Sequence, residues 1–174
     1  MCRRVAFLGL LLFSIASCSA TPPPREAKLA EVQEQSLWGA GAPVYAPTEY
    51  DTYKLGLRKA NDLLLKEQAR FEWFRQYEPA RDEYRKVLAQ GERVLKLVEE
   101  RKAEKSSSIK ARLQLYTNRV ETSGRLSSII NEGRLARRSL TRAEILLREA
   151  RALHDAGKLF EAEEKLSQVP EYLS

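Results

Sequence analysis

The chain has 174 residues, 43% of them hydrophobic and 31% charged, which excludes a disordered chain and bounds it to one domain or a small elongated helical assembly. Its 30 basic and 24 acidic residues give a formal charge of +6. The two signs interleave, which describes a solvated helix surface rather than a polybasic binding tract.

The first 17 residues read as a leader. Arg3 and Arg4 form a short positive region, and Val5 to Phe13 (VAFLGLLLF) an apolar one. The apolar stretch is too short for a membrane span, which needs about 20 residues. Ile15-Ala16-Ser17-Cys18 follows and resembles the lipobox of bacterial lipoproteins. The resemblance implies cleavage before Cys18, thioether attachment of diacylglycerol to its sulfur, and N-acylation with a fatty acid such as palmitate. Small residues at 16 and 17 suit a narrow peptidase cleft, and the cysteine is the soft nucleophile that alkylation needs. Ordinary secretion with cleavage after Ala20 is the alternative. Two or more acyl chains anchor stably, each buried methylene contributing about 0.8 kcal/mol. Ser19 stands where Asp would imply inner-membrane retention, so a Gram-negative source implies the outer membrane, with the protein facing the periplasm. Loss of Arg3 and Arg4 with the leader lowers the formal charge by two. Cys2 leaves as well and Cys18 carries lipid, so no thiol remains for a disulfide or a metal.

Residues 18–46 read as the anchor and a Pro-rich flexible linker, and residues 47–174 as a helical domain. Pro22, Pro23 and Pro24 cannot occupy a helix interior and act as an extended spacer. Arg25 to Leu37 has helical propensity but a thin apolar face, so a short helix is expected there, broken by Trp38 to Pro43. Pro47 suits a first helical turn. Tyr50, Tyr53, Leu57, Ala60 and Leu64 then follow at 3,4 spacing, a helical packing seam. Leu55, Leu63 and Leu65 widen it and predict a helix buried on more than one side.

Phe71, Trp73, Phe74 and Tyr77 cluster at the end of that helix. They are expected to plug the hairpin turn, a ligand-stacking site being the sharper reading. Pro79 opens a second helix, with Tyr84, Val87, Gly91, Val94 and Val98 on its seam, so residues 47–70 and 79–104 form an antiparallel hairpin. Ile109 resumes the seam eleven residues after Val98, or three turns. That spacing favours one helix through Ser106-Ser107-Ser108 over a break at a serine cap. A stop is expected at Asn131-Glu132-Gly133. Thr141 and Glu144 have capping-box spacing, with Leu140 and Ile145 placed as a hydrophobic staple, and predict a new helix start. Gly157 fits a left-handed helix stop. Leu159 to Gln168 makes a short partner helix ended by Pro170.

Leu159-x-x-Ala162-x-x-x-Leu166-x-x-Val169 repeats the spacing of Tyr77-x-x-Ala80-x-x-x-Tyr84-x-x-Val87. With Leu146, Ala150, Leu153 and Gly157, the later copy resembles one tetratricopeptide-type helical hairpin. It departs from that family in the early Pro170 and in having no 34-residue array. The fold class is therefore all-α: elongated antiparallel hairpins or a helical bundle, with coiled-coil-like seams and one such helix-turn-helix at the C-terminus. The mature chain also resembles helical envelope lipoproteins whose body opens with an Ala-Pro-Thr-Glu-Tyr segment, here Ala46 to Tyr50. Similar regions can precede a peptidoglycan L,D-transpeptidase domain, which implies a role beside cell-wall enzymes.

His154 is the only histidine and is expected near a helix C-terminus, where the dipole favours partial positive charge. No catalytic residue, cofactor or metal site is assigned, since no phosphate loop, nucleophile elbow or His-Glu-x-x-His is present. Arg134, Arg137, Arg138 and Arg142 are expected around a turn, either as solvated charge or as a patch for lipid phosphates or an acidic partner. The favoured function is a non-catalytic scaffold or protein-interaction module, anchored at Cys18 and partnered by an envelope protein. The alternative is an accessory of peptidoglycan enzymology, with peptidoglycan as partner. The compartment excludes nucleic acid.

Overall fold

The computed structural model describes residues 24–130 and 134–173, with residues 128–130 described by their backbone alone. Six α-helices account for most of it: α1 Arg25–Gly39, α2 Ala42–Tyr45, α3 Pro47–Gln68, α4 Glu78–Ile130, α5 Arg134–Asp155 and α6 Leu159–Gln168. Among the described residues there is no strand. The all-α expectation holds, and α3 packs antiparallel on the first half of α4 as the seams predict: Glu49 pairs with Arg101 while Lys59 pairs with Glu83.

The 53 residues of α4 make a spine about 80 Å long at 1.5 Å per residue. It is continuous through Ser106 to Ser108. Two cores sit along it. Residues from Ala80 to Val98 pack with α1, α2 and α3 in one. Residues from Ile109 to Val120 pack with α5, α6 and the tight turn Val169–Tyr172 in the other. Each half is thus a set of helices that cannot bury its apolar stripe alone and uses α4 as the shared wall.

Several local expectations need correction. The linker assigned to residues 18–46 does not extend past Pro24, because α1 and α2 belong to the first core. Ala30, Leu37, Ala42 and Ala46 are buried there. Pro24 is extended and starts α1, and Ala27 N–H donates to its carbonyl. The apolar face of α1 looks thin because Gln33 occupies its middle. Gln33 Nε2 reaches across to donate to the Leu88 carbonyl at 2.9 Å. The space for that amide exists because residue 91 is glycine: a Cβ at Gly91 would overlap the Gln33 side chain.

On α3, Tyr50, Tyr53, Leu57 and Ala60 are buried, but Leu55 and Leu65 are more than 60% exposed. The helix is buried on one side only, since these two leucines lie off the 3,4 stripe.

The expected helix start at Thr141 is also wrong. The chain is helical from Arg134, and Thr141 Oγ1 donates back to the Arg137 carbonyl at 2.9 Å. A mid-helix threonine has that bond available to it, and the capping-box spacing is then incidental. The stop at Asn131 to Gly133 lies outside the described residues. Gly157 is left-handed, with φ 75°. Its N–H donates to the His154 carbonyl, and Lys158 N–H donates to the Leu153 carbonyl. This is the hydrogen-bond pair of a Schellman stop, and it turns the chain into α6. All four residues of each repeated motif, Tyr77/Ala80/Tyr84/Val87 and Leu159/Ala162/Leu166/Val169, are buried.

Candidate functional site: an arginine face on α5

The arginine quartet does not surround a turn. Arg134, Arg137, Arg138 and Arg142 all lie on α5, and all are exposed. With Thr141 and Ile145 they follow the spacing i, i+3, i+4, i+7, i+8, i+11, which is one stripe of a helix. The buried residues of α5, Ala143, Leu146, Leu147 and Ala150, fall on the opposite side at 100° per residue. The core therefore holds the arginines outward. Arg137, Arg138, Thr141, Arg142 and Ile145 line a shallow depression, and Leu135 beside it is 77% exposed.

The electrostatics of this face are unbalanced. No acidic residue occupies the first turn of α5. Cations at a helix N-terminus oppose the dipole, at about 0.3–1 kcal/mol each near the surface. Some neighbouring charges on α5 and α6 are paired. Glu149 of the same helix meets Lys165 of α6 at 2.8 Å, and that hydrogen bond holds its carboxyl below the usual range. Glu163 of α6 accepts from Lys105 and approaches Arg112 at 3.8 Å. Arg134, Arg137 and Arg138 have no carboxylate partner among the described residues. The arrangement can offer several guanidinium forks, side by side, to phosphate or carboxylate oxygens.

A second concave feature lies between α3 and α4. It is a groove of about 530 Å³ lined by Glu49, Thr52, Lys86, Gln90, Arg93 and Leu97, among others. Glu49 is held below the usual carboxylate range by a backbone hydrogen bond and by Arg101. Arg101 also donates to the Tyr45 carbonyl at 2.7 Å, so this corner is committed to structure.

His154 lies in the last turn of α5, as expected. Its side chain is 9% exposed, with Nε2 2.9 Å from Ser106 Oγ and Nδ1 3.2 Å from Asp155 Oδ1. It ties the end of α5 to the middle of α4. Among the described residues no group of three or more His, Cys, Asp or Glu could hold a metal, and no helix is long and apolar enough to cross a membrane.

The turn between α3 and α4 overturns the aromatic plug. Tyr77 is buried, but Phe71, Trp73 and Phe74 are 68%, 74% and 70% exposed. Hydrophobicity alone does not give the direction of a loop side chain, so sequence reasoning had no signal for this. The leader, the lipobox residues Ile15, Ala16, Ser17 and Cys18, and the spacer residues before Pro24 lie outside the described residues. Comparisons with family models, with curated proteins and with solved structures find no match.

Proposed function

We propose that the chain is a lipid-anchored helical scaffold of the bacterial envelope, held in the outer membrane through Cys18 and facing the periplasm. It works by presenting surfaces to a partner rather than by catalysis. The observation that carries this reading is the lipobox Ile15-Ala16-Ser17-Cys18, six residues ahead of the point where the helical body begins. The body itself is a spine with one end next to that attachment point, and the arginine face belongs to the far half.

Glu26 of α1 lies 3.8 Å from Arg81 and 3.5 Å from Arg85, near the start of α4. α5 runs antiparallel to α4, with Ser106 beside His154 and Thr117 beside Arg151. Arg134 therefore belongs to the α4 C-terminal end, roughly a helix length of 80 Å from the tether. An acidic protein or another anionic envelope polymer is the partner class for that face. The α5–α6 hairpin, tetratricopeptide-like in its spacing, supports an interaction role.

Metabolic labelling with a fatty acid tests the anchor. Label is expected on the chain and is expected to be lost in Cys18→Ala. Label retained in that variant removes the anchor from Cys18.

A further inference from the structure

The α3–α4 turn is built, not slack. Arg75 donates from Nε to the Arg70 carbonyl and from Nη2 to the Gln68 carbonyl, both at 3.1 Å. Gln76 N–H donates to Glu67 Oε2 at 2.9 Å. Between these clamps the tight turn Glu72–Phe74 sets Phe71 and Trp73 edge to face, with centroids 5.9 Å apart. Three large aromatic side chains are thus exposed together on one short turn, and a contiguous exposed apolar patch marks an interaction surface.

Their position selects the occupant. The turn leads directly into Glu78, the first residue of α4. α1 starts at the same end, since Glu26 reaches Arg81 and Arg85. Five residues lie between Cys18 and Pro24, and the six residue steps span at most about 20 Å. Arg25, Lys28 and Lys66 are exposed at this end, with no carboxylate partner among the described residues. Aromatic rings with a few cations around them match the interfacial zone of a bilayer, where Trp is stable at headgroup depth and Lys and Arg meet lipid phosphates.

We infer that Phe71, Trp73 and Phe74 insert into the interface of the membrane that carries the lipid anchor, as a second attachment point fixing the orientation of the spine. This rests on the anchor proposed above. A tether alone leaves the body free to tumble. A tether and an aromatic wedge at the same end restrict it and direct the opposite end, with the arginine face, away from that bilayer.

The chain has two tryptophans, which makes the test direct. Trp38 is also exposed, but it lies near the other end of α1, about 20 Å along the axis from Arg25. The acylated protein is reconstituted in phosphatidylethanolamine–phosphatidylglycerol vesicles containing a brominated phospholipid, as Trp38→Phe or as Trp73→Phe. The mass of the N-terminal peptide reports acylation of Cys18 separately.

With Cys18 acylated, Trp73 emission is expected to fall by at least about half, as headgroup-depth insertion requires, while Trp38 is unaffected. Phe71→Ser with Phe74→Ser should reduce the Trp73 quenching and leave the circular dichroism unchanged, since neither ring is in a core. Acylated protein whose Trp73 stays open to aqueous acrylamide and is not quenched by the lipid overturns the wedge and leaves the anchor standing. Trp73 shielded from both quenchers means a protein surface covers it, and also overturns the wedge. An unmodified Cys18 overturns both readings.

Discussion

Tyr45 and Phe160 meet at the junction of the two half-bundles, with ring centroids 5.4 Å apart and planes tilted by 46°. Lys102 lies over the Tyr45 ring at 5.2 Å and Lys105 over the Phe160 ring at 4.1 Å. Both lysines come from the stretch of α4 between Val98 and Ile109, where neither core contributes a buried residue. The pair therefore joins α2 to α6 across the middle of the spine. A double-mutant cycle with Tyr45→Ala and Phe160→Ala should give a coupling energy of about 0.5–1.5 kcal/mol by chemical denaturation. Additive effects would mean that the two halves meet only through α4.

Gln33 and Gly91 should couple in the opposite sense. Gly→Ala inside a helix ordinarily stabilises by about 1 kcal/mol. With Gln33 in place, the new methyl must displace its amide and break the bond to the Leu88 carbonyl. Gly91→Ala is expected to stabilise the Gln33→Ala protein by about 1 kcal/mol and the parent by clearly less. Equal shifts in denaturation midpoint would contradict the packing of α1 on α4.

Tyr53 sets an alkaline limit on stability. Its hydroxyl donates to the Ala30 carbonyl at 3.0 Å, and the side chain is fully buried. Burial, followed by the charges of Glu34 and Tyr50, pushes its pKa from 10.0 up to about 12. Because the folded value is the higher one, the stabilisation from holding the phenol neutral is complete below pH 10. It is lost as pH rises from 10 through 12. Tyr53→Phe should lower stability by about 1 kcal/mol at pH 7, through the lost hydrogen bond. It should also flatten the fall between pH 10 and 12. An unchanged alkaline fall in thermal midpoint would assign it to other groups.

The arginine face separates stability from binding. Changing Arg134, Arg137, Arg138 and Arg142 to Gln should leave stability equal or slightly higher, because cations near a helix N-terminus oppose the dipole. Binding of the unlipidated protein to anionic cell-wall sacculi should fall sharply. In the parent it should weaken as the Debye length contracts from about 10 Å at 0.1 M salt to about 3 Å at 1 M. Equal binding by parent and variant, or none by either, would leave the face as solvated surface.

Much of this fold is legible in the residue spacing. The seams of α3 and α4 and the glycine stop at Gly157 are visible because a 3,4 apolar period and a left-handed glycine have few other uses. What escapes has physical reasons. α1 is read as linker because a polar amide, Gln33, fills a core position that only Gly91 on another helix makes possible. Leu55 and Leu65 are read as core although apolar residues are common on surfaces. Thr141 mimics a cap because the hydroxyl that bonds forward at a helix start also bonds backward inside a helix. The four arginines stand out by their clustering, but their common face depends on α5 starting at Arg134. The aromatic turn is conspicuous in composition, but its outward direction depends on clamps from Arg75 and Glu67.

α4 is one helix that carries both half-bundles and sets its two ends apart. Spin labels at Asp82→Cys and Glu121→Cys, both exposed sites on α4, read this directly in a Cys2→Ser, Cys18→Ser chain. A pulsed dipolar measurement should give one narrow distance distribution near 58 Å, roughly the rise of a continuous helix between these positions. A broad or markedly shorter distribution, as a break at Ser106 to Ser108 would produce, would contradict the continuous spine and the separation of the tether from the arginine face.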